Sequence, residues 1–347
     1  MENTNWVGVD THKETLACYT GNKFKEFSTT TLGFKKALEW AGNANWAIEG
    51  AYCFGKAFAS FLMKNNCKVY EINPYITKSW RCALSANGNK NDYGDAKVIS
   101  IFSKSLKLEE ISLKTVKLKE RITARDLLVK ERTKLINSIK MLYFTRGEHL
   151  VVNNLTTKKA INYLKNNDDI IISNFGILIE NLNNSIKTLE QEINNLLPEK
   201  ILKLTEICGI EKLTAAIIYT ETKGKLSTKA SFANYCATAP IEKSSGKMSK
   251  HCVNRRGNRK LNSIFFRLSI CQARYDERGK AYYDKKLREG KSPRHARKCL
   301  ARQLCNIVFD FEQHDTNENL QEKIQQILLQ HPERLKDFYK IAKALVD

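Results

Sequence analysis

The chain has 347 residues, with 58 Lys and Arg against 37 Asp and Glu, for a formal charge of +21. That length leaves room for two or three units with real cores, and the charge makes a polyanion the first expected partner. No basic segment precedes an apolar leader and no apolar run reaches the ~18 residues of a membrane span, so a soluble, cytoplasmic protein with no membrane partner is expected.

The first hundred residues alternate short β-like runs with amphipathic helices. Val7 to Asp10, Thr15 to Tyr19 and Phe24 to Phe27 predict three strands, joined by polar turns at Thr11 to Glu14 and at Gly21-Asn22-Lys23. A helix over Leu32 to Ala41, a strand over Trp46 to Glu49, a helix over Phe54 to Lys64 and a strand over Lys68 to Ile72 follow. Three antiparallel strands, then alternating helix and strand, is the order of the α/β ribonuclease H-like fold, assigned to residues 1–105. Asp10 and Glu49 each close an apolar run and read as strand ends. Asp92 and Asp95 stand three residues apart at the start of an apolar helix, which puts both on one helical face. Four oxygen donors of this kind suit one or two Mg²⁺ ions, the equipment for in-line displacement at a phosphodiester.

Residues 106–200 change to long helices. Leu182, Ile186, Leu189, Ile193 and Leu196 recur at steps of four and three, extended backwards by Phe175 and Ile179. Ile122, Leu128, Leu135, Ile139 and Leu142 form a second stripe, so this spacer reads as an antiparallel helical hairpin or an oligomerising coiled coil. Pro198 ends it. From 201 to 347 the chain is mainly α and basic, opening with a helix, a turn at Gly209 and a helix; that is either a phosphate-binding turn or a plain αα-corner. Ten cysteines are scattered without a CxxC pair, which argues against structural zinc and for small core thiols.

Between Pro240 and Leu261, Ser, Lys and Arg cluster around Gly246 and Gly257, and phosphate contact is the natural reading for Lys247, Lys250, Arg255, Arg256, Arg259 and Lys260. A serine in this setting is either a nucleophile that stores the phosphodiester as a covalent ester or part of a flexible loop. Beyond it, Arg267, Arg274 and Arg278 sit at helical spacing, and Lys291 to Lys298 with Arg302 make a second basic stripe. Tyr275, Tyr282 and Tyr283 interleave, as bases to be stacked would require, although solvated helix faces look the same in sequence.

Asp10 in Gly8-Val9-Asp10-Thr11-His12-Lys13, Glu49 in Glu49-Gly50-Ala51-Tyr52, Asn73-Pro74 after a strand, and Lys90-Asn91-Asp92-Tyr93-Gly94-Asp95-Ala96 resemble the amino-terminal domain of the DEDD-type insertion-sequence transposases. That family includes the Piv-like invertases and the bridge-RNA-guided recombinases. Its carboxy-terminal domain is resembled by Gly209-Ile210, Thr214-Ala215-Ala216, Phe232 to Pro240, Ser245-Gly246 and Arg256 to Leu261. Three positions depart from the pattern: Asn91 where Thr is frequent, Cys208 where Pro is usual, and Ala237-Thr238-Ala239-Pro240 for a Gly-Leu-Val-Pro type run.

The resemblance implies a RuvC-like domain whose Asp10, Glu49, Asp92 and Asp95 bind Mg²⁺, a coiled-coil spacer, and a carboxy-terminal domain whose Ser245 attacks the scissile phosphate. Ser244 adjoins it, and the choice of Ser245 rests on its place directly before Gly246. It further implies double-stranded DNA as substrate, a structured guide RNA, and a dimer or tetramer. Acids and serine lie about 150 residues apart, so the site is assembled either within one chain or between subunits. A RuvC-type nuclease using water, or an inactive nucleic-acid binder, would share parts of this equipment.

Overall fold

The computed structural model describes residues 5–42, 44–72, 74–84, 91–105, 108, 110–152, 154–222, 228–245, 248–252, 254 and 257–330. The chain forms two compact units, Met1–Pro198 with Lys212–Leu226, and Glu199–Glu211 with Ser227–Asp347.

The first unit is built on a five-stranded sheet. β1 (Asn5–Thr11), β2 (Thr15–Thr20) and β3 (Lys23–Ser28) are consecutive antiparallel strands. The turn between β2 and β3 has only Gly21 and Asn22 in it, both at positive φ, which matches the right-handed twist of the strands it joins. α1 (Thr31–Ala41), β4 (Ala44–Glu49), α2 (Lys56–Lys64), β5 (Val69–Ile72), α3 (Pro74–Leu84) and α4 (Asp92–Ser103) follow. The strand order is β3-β2-β1-β4-β5, with β4 parallel to β1 and β5 parallel to β4. This is the ribonuclease H-like arrangement, and its strands stand where the sequence placed them, with ends shifted by a residue or two. α2 starts later than the apolar pattern at Phe54 implied. Phe54 is exposed, and Gly55 is the residue that enters the helix, pressed so close to Ile48 that a Cβ there would lie 2.8 Å from Ile48 Cγ2.

β1 is buried on both faces for two different reasons. Val7 and Val9 join Leu16, Trp46, Ile48, Phe58 and Leu62 in the larger core. The alternate residues face α4, where Ala47, Ile72 and Ile99 form a second cluster and Gly8 lies against the helix backbone.

α5 (Leu113–Thr145), α6 (Lys158–Lys165) and α7 (Ile170–Leu196) complete most of the unit. Arg121 bonds Glu192, Arg125 bonds Glu190 and Arg132 bonds Asn183, so numbers rise along α5 as they fall along α7: the pair is antiparallel. Ile172, Ile179, Ile186 and Ile193 are buried on α7 at steps of one heptad. The segment that joins α5 to α7 holds α6, which packs Ile161 and Leu164 against Ile172 and Ile179. After Pro198 the chain enters the second unit for α8 (Glu199–Leu202) and a 3-10 turn at Lys203–Glu206, then returns to the first for α9 (Lys212–Thr222). α9 packs on α5 and α7, with the Tyr219 and Thr115 hydroxyls 3.4 Å apart.

The second unit is mainly helical, as expected, with one addition. α10 (Lys229–Tyr235) leads into a hairpin of β6 (Ile241–Ser245) and β7 (Met248–Cys252), where the sequence reading had only a basic loop. α11 (Arg259–Tyr275), α12 (Glu277–Arg288) and α13 (Pro293–Gln330) follow. Phe232 meets Phe265 and Phe309 edge-on at the centre, among Leu261, Ile264, Leu300, Leu304 and Val308. Gly209, at φ 90, turns the chain against α11 with no room for a side chain: a Cβ would lie 2.9 Å from Cys271 Sγ.

A methyl group at Gly8 would collide with the Ala96 carbonyl and the Ser100 amide. Gly8→Ala is therefore expected to cost about 1–3 kcal/mol through forced separation of α4 from β1. Urea denaturation checks this, and an unchanged midpoint would refute the close approach.

Candidate metal centre and basic hairpin

The register between α4 and β1 decides where the acids go. Ser100 Oγ donates to the Trp6 carbonyl at 2.9 Å, and Gly8 lies against Ala96. Two strand residues advance about 6.6 Å and four helical residues about 6 Å, so the two elements stay in step. Stepping once more from Ala96 to Asp92 and from Gly8 to Asp10 brings the two carboxylates together. Asn91 caps the helix by accepting from the Gly94 amide at 2.6 Å, and Asp92 and Asp95 lie in the first turn, where a helix end favours negative charge.

Glu49 arrives from the neighbouring strand. Val9 is opposite Ile48 in the parallel pair, so Glu49 lies beside Asp10 at the same end of the sheet, and the Thr11 hydroxyl donates to the Glu49 carbonyl at 3.1 Å. Asp10 is buried, whereas Asp92 is half-exposed and opens the site to solvent.

Asp10, His12 and Asp92 offer three ligand atoms that all lie within 4.8 Å of one another. His12 Nε2 is 3.3 Å from Asp10 Oδ2 and 3.2 Å from Asp92 Oδ1. Carboxylate oxygens and an imidazole nitrogen are donors that a divalent cation accepts, so the residues fit one. Asp95, three residues further along α4, is engaged differently. Both its oxygens accept from the Arg81 guanidinium of α3, and Trp80 stacks on Phe102 at 5.0 Å to hold α3 and α4 together. The sequence reading passed over His12 and Arg81. His12 had a signal, its place two residues after Asp10 in the following turn; Arg81 had none, because its partner is fixed only by helix packing.

In the second unit the backbone of Ser245 is the last of β6, paired with Met248, and Ser244 is paired with Ser249. Ser245 thus stands at the tip of the hairpin. Gly246, Lys247, Arg255 and Arg256 lie outside the described residues. Lys250 is on β7 opposite Lys243. Asn258 caps α11 by accepting from the Lys260 and Leu261 amides, and Arg259 is exposed at the first helical position. Lys260, Arg267 and Arg274 recur at heptad steps on α11, and the two arginines are exposed. Tyr275 is 75% exposed, whereas Tyr282 lies under Lys286 Nζ at 5.3 Å.

Arg81 and Asp95 are both largely buried, at 14% and 5% side-chain exposure. Arg81→Met leaves a carboxylate without its cation and is expected to destabilise the protein by about 3 kcal/mol or more. Arg81→Met with Asp95→Leu should recover most of that loss. A double-mutant cycle by urea denaturation measures the coupling, and purely additive losses would show that the pair contributes none.

The model of the DEDD transposases of IS110 type matches residues 7–143, and the model "Transposase IS116/IS110/IS902 family" matches residues 202–284. An IS110 insertion-element protein of 43.6 kDa from Streptomyces coelicolor, itself uncharacterized, is 30% identical over 146 residues, which is 41% of this chain and 36% of that one. The chain thus matches about a third of the length of that relative. Among solved structures, two of Thermus thermophilus RuvC align, the first in complex with a Holliday junction substrate. Identities are 13% and 11%, each over 31% of this chain and all of the other, at TM-scores of 0.25 and 0.23. Among the described residues no helix is long and apolar enough to cross a membrane. With two models of one transposase family matched in chain order over more than half of its residues, the chain belongs to the IS110-type DEDD transposases.

Proposed function

We propose that this chain is a transposase that cuts and rejoins double-stranded DNA, using Mg²⁺ at Asp10, Glu49, Asp92 and Asp95 and Ser245 as nucleophile. The observation that carries the reading is the convergence of Asp10 and Asp92 at one end of a ribonuclease H-like sheet in a chain of this family. When bound, the cation neutralises charge on the phosphate oxygens. The remaining work belongs to the protein. The sheet fixes Asp10 and Glu49, α4 brings Asp92 to them, and the half-exposed Asp92 leaves one side of the site open to a phosphate.

Ser245 supplies the bond that hydrolysis would waste. Its hydroxyl forms a new ester to the scissile phosphorus, the bond from phosphorus to one DNA oxygen breaks, the serine proton is lost and the departing DNA oxygen takes up a proton. The number of phosphate ester bonds is unchanged, so a hydroxyl from a second strand can reverse the step and rejoin DNA without external energy. A hairpin tip among lysines suits this task, since cations there hold the phosphate without competing as nucleophiles. Lys247, Lys250, Arg255, Arg256, Arg259, Lys260, Arg267 and Arg274 bind nucleic acid backbone in this reading. A net charge of +21 fits a structured guide RNA as well as DNA, with base pairing to choose the target and the protein holding shape. The working unit is a dimer or tetramer, as bringing two DNA partners together requires.

Incubating the full chain with DNA carrying its element's ends, the flanking RNA and Mg²⁺ tests all of this. A covalent protein–DNA adduct is expected, mapped to Ser245 by peptide analysis. Asp10→Ala and Ser245→Ala should each lower strand cleavage by about 10³-fold or more, the scale of losing a central catalytic group. Ser245→Ala should leave stability within about 0.5 kcal/mol. An adduct on Ser244 would move the nucleophile by one residue, and cleavage without any adduct would establish a water-using nuclease instead.

A further inference from the structure

We infer that His12 is itself a ligand of the divalent cation, giving a mixed oxygen and nitrogen centre. The inference rests on the metal reading above and adds to it a residue outside the four acids. His12 follows β1 directly, and its backbone is held at both polar atoms: its amide donates to the Thr15 carbonyl at 2.9 Å, and its carbonyl accepts from Thr29 Oγ1 at 3.3 Å. The ring is 39% exposed, yet Nε2 is turned inward, shielded from solvent and without a hydrogen bond of proper geometry. It lies at nearly equal distances, 3.3 and 3.2 Å, from an oxygen of Asp10 and an oxygen of Asp92.

One imidazole N–H satisfies one carboxylate well, and equal distances to two are poor geometry for that purpose. They are good geometry for a shared cation. Adjacent ligands of an octahedral ion with bonds of about 2.1 Å are about 3.0 Å apart, so the two separations from His12 are already close to those of neighbouring ligands on such an ion. Asp95, the other acid of α4, is held by Arg81 through both oxygens, whereas His12 stands within reach of both Asp10 and Asp92. Carboxylates alone favour Mg²⁺, Ca²⁺ and Mn²⁺, whereas an added imidazole moves preference toward transition metals.

The test uses the full-length protein with MnCl₂ and no nucleic acid. Loss of the free Mn²⁺ resonance gives the affinity, and electron spin-echo modulation from ¹⁴N reports a directly bound imidazole. The wild type is expected to bind Mn²⁺ with ¹⁴N modulation. His12→Ala should lose that modulation and bind at least about tenfold more weakly, since even losing an outer partner of a ligand costs that much. His12→Gln, which keeps an oxygen donor, should recover part of the affinity without the modulation, and unchanged circular dichroism melting of both variants shows that they fold. Mn²⁺ bound without ¹⁴N modulation, or modulation that survives His12→Ala, overturns the role of His12 and leaves an all-carboxylate site standing. No Mn²⁺ binding above that of Asp10→Ala and Asp92→Asn overturns the inference together with the metal reading itself.

Discussion

The contact between α4 and the bare backbone of Gly8 is the constraint from which the site follows. A helix that rests on a strand with no side chain between them is held close enough for backbone atoms to touch. It is also held in phase, because four helical residues and two strand residues cover nearly the same length. Asp92 cannot slide relative to Asp10 without driving Ala96 or Ser100 into β1. The placement of the acids is thus a property of the core and not of the loop that precedes the helix.

Once assembled, such a site must answer its own charge. Carboxylates brought this close repel one another unless a positive group attends them. The first unit supplies two attendants of different character. Arg81, always charged and matched to a carboxylate by its planar fork, takes Asp95. Beside Asp10 and Asp92 stands His12, whose imidazole can act as a donor to a metal. Asp95 must therefore exchange Arg81 to reach a cation, while the pair beside it faces no such exchange.

Much of this was legible in the sequence where one residue type implies one environment. Strand ends at Asp10 and Glu49, the shared face of Asp92 and Asp95, and the heptad stripe from Ile179 to Ile193 follow from local patterns of period two or period 3.6. Less legible were features that depend on what packs where. Gly8 looks like any glycine in a strand until α4 is laid over it. Arg81 gains its role from the crossing of α3 and α4. The β6–β7 hairpin escaped because neither run alternates apolar and polar residues; the signal was the Gly246-Lys247 dipeptide between two runs of equal length, a composition suited to a two-residue hairpin turn.

The path of the backbone has a further consequence. The chain leaves the first unit after Pro198, returns at Lys212 and departs again after Leu226. α9 brings a nearly continuous apolar and hydroxyl surface, Ala215 to Thr220, into that first unit. A fragment truncated at Pro198 would lack this helix, and one beginning at Lys212 would carry it without the helices it packs on. Neither unit can be inherited or transplanted as a single uninterrupted cassette. Exchange of parts among relatives that kept both units intact would have to move two segments of sequence at once, which ties the evolutionary fate of the unit carrying Asp10 and Asp92 to that of the unit carrying the hairpin.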